Sequence, residues 1–184
     1  MNIYTKTGDT GETSLIGNKR VKKNCLEIDA IGDIDETNAL MGVLITSMYD
    51  QKDAGGVRKK LIDVQHALFV IGSNVAAVQM NLGKMPQIKK EDVLGLEQWI
   101  DDMEKDLHPL TQFILPGGTV SAAQAFLVRA LCRRAERRYV ELVASYPELN
   151  PLVGQYLNRL SDVLFVLGRW LNKKDAVEDV VWKK

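Results

Sequence analysis

Residues 57–78 read VRKKLIDVQHALFVIGSNVAAV, and within them Val57, Leu61, Val64, Leu68, Ile71, Val75 and Val78 recur at alternating intervals of four and three. That rhythm puts all of them on one stripe of a helix, and so long an apolar stripe needs another helix to cover it. Working outward, Val93, Leu96, Ile100, Met103 and Leu107 repeat the pattern, as do Val153, Leu157, Leu160, Leu164, Leu167 and Leu171. A fourth helix is predicted between Thr119 and Ser145, with Leu127, Leu131, Ala135 and Leu142 on its apolar side. A fifth is predicted over Asp33 to Met48, through Leu40, Leu44 and Met48. Ala54-Gly55-Gly56, Gly83 to Pro86, His108-Pro109, Leu115-Pro116-Gly117-Gly118 and Pro147 to Pro151 interrupt the periodicity where loops are required. The expected fold is all-α, a five-helix bundle.

A chain of 184 residues with 46% hydrophobic side chains is long enough for one substantial core, so a single domain over residues 1–184 is expected. Within it, residues 1–24 form a polar lead-in, 25–172 the bundle and 173–184 a short tail. The 24 basic and 24 acidic residues cancel, which argues against nucleic acid or an anionic membrane as partner and for a small molecule. Cys25 and Cys132 make neither a CxxC pair nor a disulfide framework, which suits a reducing cytoplasm. No signal peptide and no membrane-spanning stretch is visible.

Five groups carry possible chemistry. In Thr5-Lys6-Thr7-Gly8-Asp9-Thr10-Gly11-Glu12-Thr13, glycines permit close backbone approach while free N–H groups and hydroxyls can point at phosphate oxygens. No Gly-Lys-Ser/Thr closes the stretch, so it is not a Walker A loop, and a plain polar turn before a short strand is the ordinary alternative. On the fourth helix, Arg129, Arg133 and Glu136 fall within one stripe among Arg134, Arg137 and Arg138. Guanidinium forks there suit a triphosphate, and a solvent face with Arg133–Glu136 pairing is the alternative. On the last helix Asn158, Asp162, Phe165 and Arg169 lie away from the leucines, and Asp35 and Glu36 add carboxylates that could meet the arginines or a magnesium ion. Leu115 to Thr119 brings a tight turn to the start of the arginine helix; Phe113 just before it would ordinarily be core.

Taken together, five stretches resemble the PduO-type ATP:cob(I)alamin adenosyltransferases. They are residues 4–13, Gly32 to Asn38, Phe113 to Gly118, Cys132-Arg133-Arg134-Ala135-Glu136-Arg137, and Leu157 to Asp162, in family order. The resemblance implies a ferritin-like, cobalamin adenosyltransferase-like bundle with an N-terminal nucleotide-binding loop. It implies that Thr5, Lys6, Thr7, Gly8, Asp9, Thr10, Gly11, Glu12 and Thr13 wrap the phosphates of ATP together with Lys23. Arg133, Arg134, Glu136, Arg137 and Asn158 would complete the ATP site, with Mg2+ near Glu136. Asp35 and Arg129 would pair across a subunit boundary in a homotrimer, Phe113 would press on the lower face of the corrin, and Asp162 would support the corrin pocket. The implied reaction moves the 5′-deoxyadenosyl group of ATP to the cobalt of cob(I)alamin by direct displacement, releasing triphosphate. A flavoprotein reductase and an adenosylcobalamin-dependent enzyme would be partners. Two positions depart from the family: Ala125-Phe126 stands where it usually shows Leu-His, and Glu27 where it often has arginine. A noncatalytic ATP- and corrinoid-binding carrier uses the same residues. A di-iron bundle gains only Asp63 and His66, with no matching Glu-x-x-His.

Overall fold

The computed structural model describes residues 3–49, 55–79 and 85–183. A short antiparallel hairpin, β1 (Glu12–Ser14) and β2 (Arg20–Lys22), precedes five helices: α1 (Leu26–Ser47), α2 (Gly55–Ala76), α3 (Lys90–Glu104), α4 (Val120–Ser145) and α5 (Pro151–Lys174). The helix count matches the periodicity. Of the expected breaks, Ala54 and residues 83–84 lie outside the described residues. Gly55 and Gly56 are not a break, because they open α2.

Helix ends follow local chemistry. Thr119 caps α4 by accepting the Ala122 N–H at 3.2 Å, and Asn150 caps α5 by accepting the Leu152 N–H at 3.0 Å with Pro151 in the first turn. The Asp92 carboxylate accepts the Lys89 N–H at 2.7 Å at the start of α3. α1 begins at Leu26, a full two turns before the expected Asp33, since Leu26 and Ile31 pack on the core and Ala30 is fully buried.

α4 and α5 pack along each other, α1 covers the other side of α4, α2 lies on α1, and α3 lies on α5. The α2 and α5 leucine and valine stripes are buried in one continuous core. α4 departs from expectation. Its buried residues are Ser121, Ala122, Ala125, Phe126, Val128, Cys132, Ala135, Tyr139 and Leu142, so Ala135 and Leu142 are inside as expected, whereas Leu127 is 47% exposed. A helix sandwiched between two neighbours buries two faces, and small side chains let both approach closely. Among the described residues no helix is long and apolar enough to cross a membrane.

Candidate active site

The lead-in folds back on itself. Lys6 and Gly11 take positive φ (59° and 83°), so the chain turns twice between Thr5 and Glu12, with Asp9 N–H reaching Lys6 O and Gly11 N–H reaching Gly8 O. The Thr5 and Thr7 hydroxyls lie 2.9 Å apart. Arg20, one of the cations of the basic lead-in, donates to Thr7 O at 2.7 Å and pairs with Glu12 at 3.5 Å, holding the loop from within. The Lys23 N–H donates to Gly11 O at 2.9 Å, and its ammonium stands beside Gly8. Thr5, Lys6, Thr7, Asp9, Thr10, Gly11 and Glu12 are exposed, and Gly8 and Thr13 are partly so. The hairpin docks on the bundle where Leu15 is buried and Ile16 N–H donates to Ala76 O at 3.0 Å.

The arginine helix divides its charges. Arg134 pairs with Asp33 at 3.0 Å and with Glu36, both on α1, and Arg138 pairs with Glu141 at 2.9 Å. Arg133 and Arg137 are exposed and, among the described residues, form no ion pair; Arg137 donates to Arg133 O at 3.0 Å. The expected alternative pairing of Arg133 with Glu136 is absent. Glu136 instead accepts from Asn158 Nδ2 at 3.0 Å, so α5 contributes to the same patch. Toward the start of α4, the Arg129 guanidinium lies over the Phe165 ring at 5.4 Å, and Phe165 tilts against buried Phe126 at 6.0 Å. Phe126, the departure from the family pattern, is thus a packing residue under the ring that carries Arg129. Asp162 accepts from Arg159, itself paired with Glu97 at 2.9 Å, on the wall of a groove of about 580 Å³ that Phe165 and Val166 floor.

Phe113 is 80% exposed, which rules out the core role a phenylalanine would ordinarily have. Its loop is nonetheless held firmly. Leu115 N–H donates to Val180 O and Trp182 N–H to Phe113 O, both at 2.8 Å, and Ile114 bridges Val181 in antiparallel fashion. The Trp182 ring meets Phe113 edge-on at 6.4 Å. Downstream, Asn172 clamps the turn: its Oδ1 accepts the Thr119 N–H and its Nδ2 donates to Gly117 O, each at 3.0 Å. Gly118, at φ 105°, has no room for a Cβ, which would lie within 2.5 Å of the Asn172 Cγ and Nδ2. Arg169, 8% exposed, pairs with Asp179 at 2.9 Å and donates to His108 O, tying the tail to α5. Sequence reading left the tail without a role; its alternation is too short to register as a strand.

Asp35 lies elsewhere. It borders an apolar groove of about 220 Å³ between α1 and α2, with Ile16, Asn38 and Phe69, and among the described residues no ion pair joins it to Arg129 within the chain. Likewise no hydrogen bond or ion pair among the described residues joins the 5–13 loop to Arg133 or Arg137.

A helical bundle with an exposed glycine- and threonine-rich loop, free guanidinium groups beside a carboxylate, and an exposed aromatic side chain before α4 fits a nucleotide-using group transferase. The chain belongs to the cobalamin adenosyltransferase family, whose model matches residues 3–171. It is 45% identical over 182 residues to a cobalamin adenosyltransferase of Cupriavidus metallidurans, covering 99% of this chain and 94% of the relative. It is 37% identical to the corrinoid adenosyltransferase of Bacillus subtilis, covering 100% and 93%. Its fold is similar to a variant PduO-type ATP:corrinoid adenosyltransferase from Lactobacillus reuteri, complexed with cobalamin and ATP. The TM-score is 0.92 at 29% identity, over 100% of both chains.

Proposed function

We propose that this chain transfers the 5′-deoxyadenosyl group of ATP to the cobalt of cob(I)alamin, with residues 5–13 and Lys23 holding the phosphates. The observation that carries the reading is the order of side chains along the adjoining α4 and α5 helices. Arg137, Arg133, Glu136 and Asn158 lie at one end, Arg129, Phe165 and Asp162 follow, and Phe113 stands past the start of α4. At about 1.5 Å per residue, the run from Arg133 back to the Thr119 cap spans about 20 Å, room for a nucleotide and a corrin end to end.

Cobalt attacks the 5′ carbon directly, so no protein nucleophile is needed. Arg133 and Arg137 are placed to neutralise the departing triphosphate, and a preorganised cation costs no rearrangement as charge develops. Arg134 reaches a nucleotide only by leaving Asp33 and Glu36, so its contribution is positional. Among the described residues no cluster of three or more metal-binding side chains exists. Mg2+ fits here as it does with nucleotides generally, through phosphate oxygens and water, with the Glu136 carboxylate at hand. Phe113 excludes water and a lower axial ligand from the corrin, and Asp162 and Arg129 shape the groove around it.

The 5–13 loop and Asp35 border the α1–α2 side of the chain, while Arg129, Arg133 and Arg137 stand on α4. Two half-sites on different elements, with no hydrogen bond or ion pair between them among the described residues, support a shared site between copies in a homotrimer, where Asp35 of one copy pairs with Arg129 of the next. The two free cysteines support a cytoplasmic setting, where a flavoprotein reductase would supply the electron and an adenosylcobalamin-dependent enzyme would take the product.

The test is a visible spectrum of cob(I)alamin alkylation with ATP and magnesium, run beside light scattering. Adenosylcobalamin and triphosphate in equal amounts from a trimer is the expected result. Stoichiometric binding without turnover would favour the carrier reading, and a stable active monomer would defeat the shared site.

A further inference from the structure

The residues that seat the 5–13 loop meet at a carboxylate outside the proposed ATP and corrin residues. Glu27, in the first turn of α1, is 8% exposed, and a carboxylate so enclosed requires partners. Its Oε1 accepts from the Tyr146 hydroxyl, at the C-terminal end of α4, and from Gln79 Nε2 at 3.4 Å, just beyond α2. Gln79 Nε2 also reaches Tyr146 Oη at 3.2 Å. The other end of the same carboxamide, Gln79 Oε1, accepts from the Lys19 ammonium in the β1–β2 turn. One amide therefore lies between a cation on the loop and an anion on the bundle, oriented so that each end meets the charge it stabilises. Hydrogen bonds in such a chain polarise one another.

We propose that Glu27 is a positioning residue for the phosphate loop, acting through Gln79 and Tyr146 on Lys19 to hold residues 5–19 against the bundle. The inference rests on the reading of residues 5–13 as the ATP-phosphate loop. Leu15 and the Ile16–Ala76 hydrogen bond give the hairpin one anchor. A single anchor leaves it free to pivot, and the Lys19–Gln79 contact on the other side of the turn supplies the second. Burial works to raise the Glu27 carboxyl, yet hydrogen bonds from Tyr146, its own backbone, Cys25 and Gln79 hold it below the ordinary carboxylate range, so the anion persists at neutral pH. Glu27, Gln79, Tyr146 and Lys19 belong neither to the phosphate-binding stretch nor to the corrin groove. Their effect must therefore show in ATP affinity rather than in the chemical step.

The test compares the full chain with Lys19→Met, Glu27→Gln and the double variant. It reads KM for ATP, KM for cob(I)alamin, kcat, melting temperature and hydrogen exchange at the Ile16 amide. If the unaltered protein fails to alkylate cob(I)alamin, the functional reading fails and this inference falls with it. With an active protein, each single variant should raise KM for ATP about tenfold, the worth of one charge-assisted contact. The double variant should add little, because both substitutions break the same chain. kcat and KM for cob(I)alamin should stay within about twofold, and Ile16 exchange should quicken. Lys19 and Gln79 are exposed, so Lys19→Met tests the idea without threatening the core. An unchanged KM for ATP in Lys19→Met would overturn the proposal. So would loss of kcat, both KM values and melting temperature together in Glu27→Gln while Lys19→Met behaves as the unaltered protein, since Glu27 would then only fasten α1 to α4.

Discussion

Substituting Gly118 by alanine tests whether the Phe113 loop is held by the Asn172 clamp. The φ of 105° at Gly118 is a conformation that L residues avoid, which costs about 1–3 kcal/mol for a side chain forced to adopt it. The new Cβ would also collide with the Asn172 carboxamide, which cannot retreat without releasing the Thr119 N–H and Gly117 O. Asn172 is nearly buried, so those groups would be left unpaired, at about 1 kcal/mol or more each. The sum is about 3–5 kcal/mol. For a domain of this size, that corresponds to a fall of roughly 10 °C in melting temperature. Calorimetric melting of Gly118→Ala beside Asn172→Ala measures it. The alanine at 172 removes the obstacle, so the double variant should recover part of the loss caused by Gly118→Ala relative to simple addition. A Gly118→Ala protein melting within about 2 °C of the parent would show that the turn is not locked as described.

Lys6→Ala and Arg133→Ala should each weaken ATP binding about tenfold to a hundredfold, the range for a charge-assisted phosphate contact; calorimetry giving unchanged affinity in both would remove them from the site. Phe113→Ala should melt close to the parent, because the ring is 80% exposed and little apolar burial is lost. Its reaction from cob(II)alamin with a mild reductant should collapse while reaction from preformed cob(I)alamin suffers much less, and equal losses in both assays would make Phe113 a packing residue. The depressed Glu27 carboxyl has a sign that can be measured. Its stabilising contribution is present above the ordinary carboxyl value of 4.5 and is lost as pH falls below that through the folded-state value. Glu27→Gln should therefore show a shallower loss of stability in urea titrations across that acid limb, and identical limbs would contradict the assignment.

The heptad-like stripes of α2, α3 and α5 were legible because leucine and valine at regular intervals have one physical solution, burial against another helix. α4 resisted the same treatment. Its buried side mixes small residues such as Ala122, Ala125, Cys132 and Ala135 with Phe126, Val128, Tyr139 and Leu142 over two faces, so no single leucine stripe marks it, while Leu127 points outward. The arginines were legible as a cluster but not as individuals, since nothing local shows that Arg134 meets Asp33 and Glu36 about a hundred residues earlier while Arg133 stays free. The resemblance supplied the roles of Phe113 and the 5–13 loop, which periodicity could not. Asn172 and Asp179 carry no local signal, and Arg169 reads as one of a polar line on the last helix rather than as an anchor, because their work depends on a tail that returns to the turn before α4.

The pairing of residues 113–115 with 180–182 makes a ring of everything between them. Closing a flexible loop of roughly 65 residues costs about 4 kcal/mol in chain entropy, more than two backbone hydrogen bonds and an edge-on ring contact return on their own. The pairing therefore waits until α4 and α5 have zipped and delivered its two ends side by side. The bundle is the template for the pairing rather than its product. The wall that holds Phe113 is thus a seam whose two edges, far apart along the chain, are brought together by the packing of α4 on α5.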